Sequence, residues 1–310
     1  MMEKKLEIIT WLLDSDPAIR WQVMKDLQNK DEISYSVERQ KLTDEGWCAE
    51  LLKLQGQDGL WSKSLYDRKW ISTTYTLYLL KLLGLPAENQ QVLTACEQLI
   101  TKGIYQQREI RFSSGQTHQD LGVTAITLSL CCYHGYSHEL LHNIAEYLSA
   151  QQNKDGFWLP DNSEASMSYR FETTLLVLEG LLQYRNRYPP KKALLKAERA
   201  GQEYLLRHQL FMKDGKAIKR QWTSFSFPAY WFYDVLTVLE YFRLAGMKRD
   251  DRFIPGIELV LKKRKKDGTW HPGRTHPGKT NIKMDVPGEP SRWNTLRAMR
   301  MLNSWENADS

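Results

Sequence analysis

The chain has little of what a membrane-spanning, secreted or disulfide-stabilised protein needs. No stretch of its 310 residues approaches the roughly 18 consecutive apolar side chains that cross a bilayer. The charged segment from Met1 to Lys5 lacks the apolar core of a signal peptide. Its four cysteines show no paired spacing, which favours reduced thiols in an intracellular protein. We therefore expect a cytoplasmic protein with at most a peripheral membrane contact.

A strong charge of either sign is also lacking. The net charge of +6 is small for 310 residues, so it allows an anionic ligand but does not predict binding to nucleic acid. Aromatic residues are plentiful by contrast, with 11 tryptophans and 15 tyrosines. Such large flat side chains suit either a deep core or an apolar pocket. Composition does not indicate the oligomeric state.

One short pattern occurs three times. The segments Leu-Gln-Gly-Gln-Asp-Gly-Leu-Trp, Ala-Gln-Gln-Asn-Lys-Asp-Gly-Phe-Trp and Lys-Arg-Lys-Lys-Asp-Gly-Thr-Trp end at Trp61, Trp158 and Trp270. In each copy a helical run ends, an Asp-Gly pair turns the chain, and the tryptophan follows two residues after the glycine. The copies lie about 100 residues apart, so the unit is about 50 residues long, as in repeat proteins. We expect the three tryptophans to be structural and to pack across to a neighbouring repeat.

Amphipathic helices alternate along the chain with helices that are much poorer in charge. The segment 121–132, for example, contains no charged residue, which indicates burial on all sides. Two concentric rings of helices require this alternation, whereas an open array of hairpins does not. The sequence therefore predicts an all-α fold, a closed (α/α)6 toroid of six hairpins that forms one domain over residues 1–310. Residues 1–44 form its first hairpin and a connector, and residues 45–305 form the repeat ring.

The three blocks resemble the repeat of the squalene cyclase and protein prenyltransferase β-subunit superfamily. Members of that superfamily carry Gln-x-x-Asp-Gly-x-Trp-like blocks between the outer and inner helices of an α/α toroid. The resemblance covers about residues 45–305, and the chain looks most like short bacterial squalene cyclase-like proteins. It implies an isoprenoid or similar apolar ligand, but it indicates the fold much more strongly than the reaction.

Two catalytic motifs that the resemblance would imply are missing. Squalene-type cyclases use an Asp-x-Asp-Asp acid, and no such string occurs here. Protein prenyltransferases bind zinc through an Asp, a Cys and a His at the starts of inner helices. In this chain the position of the His is taken by Asn294, and the repeat that offers Asp234 has no Cys. We therefore expect neither a metal nor another cofactor, and whether the chain is an enzyme stays open.

The starts of the inner helices hold the candidate site residues. In a toroid these N-termini converge at one end, where their unpaired N–H groups favour an anion. Three acids there are candidate general acids with a raised pKa, or alternatively structural carboxylates: Asp120, Glu172 and Asp234. An aromatic wall with basic residues supplies the candidate ligand-binding residues: Trp70, Tyr75, Arg170, Tyr230, Trp231, Arg274, Lys279, Arg292, Trp293 and Asn294.

The segment between Trp270 and Pro290 has no apolar periodicity and is rich in proline and glycine. Loops of that length are commonly lids or binding loops, although a plain connector would have the same composition. Arg274, Lys279 and Lys283 in this loop, together with Arg292 just after it, would suit a diphosphate.

Three functions fit these observations. The first is a terpenoid cyclase-like or prenyltransferase-like protein that binds an apolar ligand with an anionic head, with acid-initiated cyclisation or prenyl transfer as the reaction. The second is a non-catalytic toroid that binds a ligand or a protein. The third is a glycan-processing (α/α)6 enzyme, which needs two carboxylates facing across a pocket.

Overall fold

The structure is a computed structural model that describes residues 2–112, 119–159, 166–273 and 276–307. Within these residues the chain is almost entirely helical. Its α-helices are α1 (Met2–Leu13), α2 (Pro17–Asp26), α3 (Glu32–Gln40), α4 (Gly46–Lys53), α5 (Thr73–Leu83), α6 (Gln90–Gly103), α7 (Leu121–His134), α8 (Leu140–Ala150), α9 (Met167–Arg187), α10 (Lys192–Arg207), α11 (Val235–Leu244), α12 (Ile254–Lys262) and α13 (Arg292–Glu306). None of these helices is both long and apolar enough to cross a bilayer.

Local sequence signals set several helix ends. Asp16 caps the start of α2, because its Oδ1 accepts a hydrogen bond from the Ala18 amide at 2.8 Å and Pro17 occupies the first helical position. The second oxygen of Asp16 accepts from the Trp47 amide at 2.8 Å, so the same carboxylate also fixes the start of α4. Gly84 ends α5 with a left-handed φ of 90°, which glycine adopts without a steric cost.

All of these helices except α3 form two concentric layers. The inner layer consists of α2, α5, α7, α9, α11 and α13, and the outer layer consists of α1, α4, α6, α8, α10 and α12. Helix α2 closes the inner layer through the Gln22 side chain, whose Oε1 accepts from Arg300 of α13 at 2.6 Å. Its Nε2 donates to the Leu82 carbonyl of α5 at 3.3 Å. The predicted all-α toroid is confirmed, and its first hairpin is part of the ring.

The three repeat tryptophans are buried and make the same hydrogen bonds. Each indole N–H donates to the main-chain carbonyl ten residues earlier, in the preceding outer helix, at 2.6–2.8 Å. Each tryptophan amide donates to a threonine hydroxyl of the following inner helix at 3.0–3.1 Å. Each tryptophan therefore joins the two helices of a hairpin, through its indole on one side and its main-chain amide on the other.

A second element of the repeat joins neighbouring hairpins. Gln55, six residues before Trp61, donates through Nε2 to the carbonyl of Gln91 in the next outer helix at 2.9 Å. Gln152, six residues before Trp158, donates in the same way to the carbonyl of Ala197 at 2.7 Å. The third copy has an arginine at this position, and Lys4 of α1 reaches the carbonyl of Lys266 instead. The blocks thus connect consecutive outer helices and close the outer layer.

Two hairpins without a tryptophan block carry short strand pairs at the same point. Strands β1 (Ile104–Tyr105) and β2 (Glu109–Ile110) precede α7, and β3 (Met212–Lys213) and β4 (Lys216–Ala217) precede α11. The Ile110 amide donates to the Thr124 hydroxyl at 3.1 Å, as the tryptophan amides do elsewhere. The strand pair therefore replaces the Asp-Gly-x-Trp turn at this corner.

One helix is shorter than its apolar pattern suggests. The apolar and aromatic pattern of segment 228–244 is typical of one buried helix, but α11 begins only at Val235. Asp234 caps the helix there, since its Oδ1 accepts from the Thr237 amide at 2.8 Å. Tyr230 has a positive φ of 53°, which an α-helix does not accommodate. Aromatic residues predicted at a helix start therefore lie in a loop at the end of the ring.

Candidate functional site

A cleft lies at the end of the ring where the inner helices begin, beside α7 and α9. Its volume is about 230 Å³. The lining comes from the starts of these two helices and from the loops that precede α5 and α11: Tyr66, Asp120, Gly122, Val123, Ile126, Tyr169, Glu172, Thr173, Leu176, Trp231 and Phe232. The cleft therefore combines aliphatic and aromatic walls with two carboxyl groups.

Asp120 is the largely buried acid of this cleft. Its Oδ1 accepts from the Val123 amide at 2.9 Å and so caps α7. Burial raises the pKa of the Asp120 carboxyl above its ordinary value, and this outweighs the opposite effect of the Val123 and Gly122 amides. Asp120 can therefore hold a proton at a higher pH than an exposed aspartate.

Glu172 lines the same cleft but is already engaged. Its Oε1 accepts from Lys219 Nζ at 2.6 Å and from the Trp222 indole N–H at 3.3 Å. Both donors engage the same oxygen, and the bond from Lys219 is charge-assisted. Glu172 therefore orients Lys219 and Trp222 at the edge of the cleft.

Asp234, the third candidate acid, is not among the residues that line the cleft. In addition to capping α11, it accepts from the Ser226 amide through Oδ2 at 3.2 Å. Burial raises the pKa of Asp234, while the nearby Arg297 guanidinium lowers it. Both carboxyl oxygens hold main-chain amides, so the structure gives Asp234 a positioning role in the loop before α11.

Four of the predicted ligand-binding residues form one aromatic cluster: Trp70, Tyr75, Tyr230 and Trp231. Trp70 stacks on Tyr230 with ring centroids 4.7 Å apart, and Tyr75 lies 5.0 Å from Trp231. Tyr66 stacks on Tyr75 at 5.6 Å. Because Tyr66 and Trp231 also line the cleft, the cluster forms its inner wall.

The loop after Trp270 crosses the end of the ring beside this cluster. Trp70 donates its indole N–H to the Pro277 carbonyl at 2.6 Å, and Asn281 Nδ2 donates to the Thr76 hydroxyl of α5 at 3.1 Å. His276 stacks on Phe232 at 4.7 Å. The loop thus covers the aromatic cluster on the α5 side, whereas the cleft lies on the α7 and α9 side.

The predicted basic residues are dispersed. The Arg292 guanidinium packs 4.9 Å from the Trp11 ring in outer helix α1, and Arg170 packs 4.8 Å from the Phe157 ring. Lys279 is exposed, and Arg274 lies outside the described residues. The helix start at Arg292 was predicted correctly, but the first residue of a helix can point inward or outward. The described contacts of Arg292 are directed outward, so it does not line the cleft.

Trp293 and Asn294 are core residues. Trp293 stacks on Phe227 with ring centroids 4.1 Å apart. Asn294 Nδ2 donates to the carbonyls of Phe225 and His271 at 3.0 and 3.1 Å, which ties two loops to α13. These two residues fix the loops of this end of the ring, and neither of them lines the cleft.

Several residues of the site were not among the sequence candidates, and three of them lie in loops. Tyr66 and Phe232 line the cleft, and Lys69 places its ammonium 4.9 Å from the Trp231 ring. Tyr66 and Lys69 belong to the loop that connects the first tryptophan block to α5. Such a loop must lie at the rim of a toroid, so its aromatic and basic residues could have been added to the candidates.

No group of three or more His, Cys, Asp or Glu side chains comes close enough to hold a metal ion in the described parts of the chain. Asp234 and Asn294 are the two residues that were compared with the zinc ligands of protein prenyltransferases. Their side chains make the hydrogen bonds described above.

Comparison with protein-family profiles and with curated proteins gives no match. Solved structures do show a likeness. A protein from Actinoplanes superposes with a TM-score of 0.50 at 13% identity, over 96% of this chain and 91% of that one. A variant of the type II terpene cyclase MstE from Scytonema, in complex with geranylgeranyl dihydroxybenzoate, has a TM-score of 0.48 at 14% identity, over 93% and 86% of the two chains. At these identities the likeness concerns the fold alone.

Proposed function

We propose that the cleft binds an isoprenoid or similar apolar ligand and that Asp120 is the general acid if the ligand is converted. The observation that carries this proposal is the position of Asp120, a buried carboxyl with a raised pKa between aliphatic and aromatic walls. The aliphatic and aromatic side chains of the cleft bind a hydrocarbon chain by removing it from water.

The chemistry available to Asp120 is proton donation to an alkene. The proton would move from Oδ2 to a carbon of the double bond, and a carbocation would form at the other carbon. The aromatic faces of Tyr66 and Trp231 would stabilise that cation. The carboxylate left behind would keep the Val123 amide and the N-terminal field of α7 as its stabilising partners. Transfer of a proton from the rearranged cation back to the Asp120 carboxylate would return the carboxyl to its starting state.

An anionic head would lie at the rim of the cleft. Lys69 is exposed there and packs over Trp231, and Lys219 is held beside the cleft by Glu172. Either ammonium can contact a carboxylate or diphosphate while the apolar tail enters the cleft. We therefore propose that the head lies near Lys69 and Lys219 and away from Arg292.

The Asp120→Asn variant tests proton donation by Asp120 separately from ligand binding. The asparagine Oδ1 can still accept from the Val123 amide, so α7 keeps its cap, but the acidic proton is gone. We expect ligand binding within about threefold of the wild type and at least a 100-fold fall in any isomerised product. The assay is incubation with farnesyl diphosphate or geranylgeranyl dihydroxybenzoate, followed by chromatography and mass spectrometry. Glu172→Gln is the matched control, and equal product from Asp120→Asn and the wild type would rule out Asp120 as the acid.

The capping hydrogen bond of Asp120 also favours a second candidate, a non-catalytic toroid that binds the same ligands. For this alternative the decisive residue is Trp231, because its ring forms a wall of the cleft. We expect Trp231→Ala to weaken ligand binding about tenfold or more, since it removes a large apolar contact. Titration followed by calorimetry measures the change, with Trp305→Ala on α13 as the control. Binding without any product in the wild type would select this alternative.

A further inference from the structure

A second concave surface lies where outer helix α12 ends. It is an open groove of about 790 Å³ formed by the cationic run 262–266 together with segments 223–225 and 270–273. The run reads Lys-Lys-Arg-Lys-Lys, and all five residues are exposed. This cationic groove shares no lining residue with the cleft. Nothing in the proposed function uses it.

The five cations are crowded and have no ion-pair partner in the described parts of the chain. Partial burial lowers the pKa of Lys263, and the charges of Lys265 and Lys262 lower it further. The adjacent carboxylate, Asp267, accepts from the amide and the hydroxyl of Thr269 at 2.9 and 2.7 Å. It therefore serves the local turn and is not paired with these lysines.

The fold explains only part of this charge. Lys262 and Lys263 lie at the C-terminal end of α12, where a cation interacts favourably with the helix dipole. Arg264 packs 5.6 Å from the Trp270 ring and donates to the Gly268 carbonyl at 3.3 Å. The side chains of Lys265 and Lys266 make no such contact. The main-chain carbonyl of Lys266 also accepts a hydrogen bond from a sixth cation, the ammonium group of Lys4.

We propose that the cationic groove binds a phosphate ester. A phosphate group carries nearly two negative charges and three acceptor oxygens, so it can engage several ammonium groups at once and relieve their mutual repulsion. Lysines act as flexible point charges toward such an anion, and a concave arrangement lets them converge on one group. His271, which also lines the groove, adds a further donor. The phosphate belongs either to a free metabolite or to a lipid headgroup, and its recognition chemistry is the same in both.

The test compares two triple variants of the full chain with equal net charge. The groove variant carries Lys263→Gln, Lys265→Gln and Lys266→Gln, and the control variant carries Lys196→Gln, Lys213→Gln and Lys216→Gln at exposed positions elsewhere. Inorganic pyrophosphate is titrated into each protein by calorimetry at low ionic strength. Vesicles of phosphatidylcholine with and without phosphatidylglycerol are tested by co-sedimentation. Circular dichroism confirms that each variant is folded.

We expect the groove variant to bind pyrophosphate or the anionic vesicles at least tenfold more weakly than the wild type, and the control variant to stay within twofold. Loss of pyrophosphate binding identifies a free phosphate ligand, whereas loss of vesicle binding alone identifies a lipid headgroup. Equal losses in the two variants would show a general charge effect and would overturn the proposal. So would the absence of binding to both probes by the wild type. Neither result bears on Asp120 or the cleft.

Discussion

Replacing Trp158 by alanine is expected to lower the free energy of unfolding by about 3–5 kcal/mol, the range for tryptophan truncations in cores. The indole is fully buried and packs against Gly201 of the next outer helix, where an added Cβ would lie 2.5 Å from the ring. Its N–H holds the Leu148 carbonyl at 2.6 Å. The substitution therefore leaves a cavity, removes one of the hydrogen bonds to the Leu148 carbonyl and takes away the contact between two hairpins at this point. Urea unfolding followed by circular dichroism measures the change.

Two further variants separate these causes. Trp158→Phe keeps most of the ring but removes the hydrogen bond to Leu148, so it should cost about 1–3 kcal/mol. Gly201→Ala should be destabilising by itself, because its methyl group has no room beside the indole. In the Trp158→Ala background that methyl group has space, so the two effects should be strongly non-additive. Additive effects, or a loss below about 1 kcal/mol for Trp158→Ala, would contradict a structural role at the seam.

Glu240→Gln is expected to lower the free energy of unfolding by about 3–5 kcal/mol, which is the usual cost of removing one partner from a buried ion pair. Glu240 is buried on α11 and accepts from both Arg297 and Arg300 of α13. Arg300 in turn reaches Gln22 of α2, which contacts α5. Loss of the carboxylate removes the anion that the buried Arg297 guanidinium shares with the partly exposed Arg300 guanidinium, at the point where the ring closes. Urea unfolding at pH 7 measures the loss.

The pH dependence of this effect has a definite sign. Burial raises the pKa of Glu240, but Arg297 and Arg300 outweigh it and hold the pKa at about 2, below the ordinary value of 4.5. A depressed pKa means that the stabilisation is complete above pH 4.5 and is lost as the pH falls toward 2. The stability difference between the wild type and Glu240→Gln should therefore shrink below pH 4.5.

Glu203→Gln is the matched control, because Glu203 forms an exposed ion pair with Arg252. It should lower the free energy of unfolding by under about 1 kcal/mol at pH 7.

The sequence alone determined the architecture, because repeated local signals need no knowledge of distant contacts. Asp-Gly turns, the tryptophans that follow them and the alternation of charge-poor helices with amphipathic ones predict paired layers of helices. Asp16 before Pro17 and Gly84 after α5 set helix ends through interactions within a few residues. The structure confirms the toroid. It also shows that each repeat tryptophan donates one hydrogen bond to a carbonyl earlier in the chain and one to a threonine hydroxyl later in the chain.

The candidate site depended more on tertiary structure. Helix starts could be read from the sequence, but the direction of each side chain could not, because one turn of a helix points some residues into the ring and others outward. Asp120 and Glu172 therefore share a cleft, whereas Arg292 packs on the outer helix. Nor could the sequence show that Lys219 and Trp222 would engage Glu172, since they follow it by 47 and 50 residues.

The loop residues show the same limit most clearly. Tyr66 and Phe232 are far apart in sequence and have no periodic pattern, yet both line the cleft with Asp120. Local sequence signals act over one or two helical turns, and they determined how many helices form and how these alternate. The environment that raises the pKa of Asp120 is made by segments that meet only when the ring closes, so only the tertiary structure could decide which carboxyl is buried, which is paired and which caps a helix.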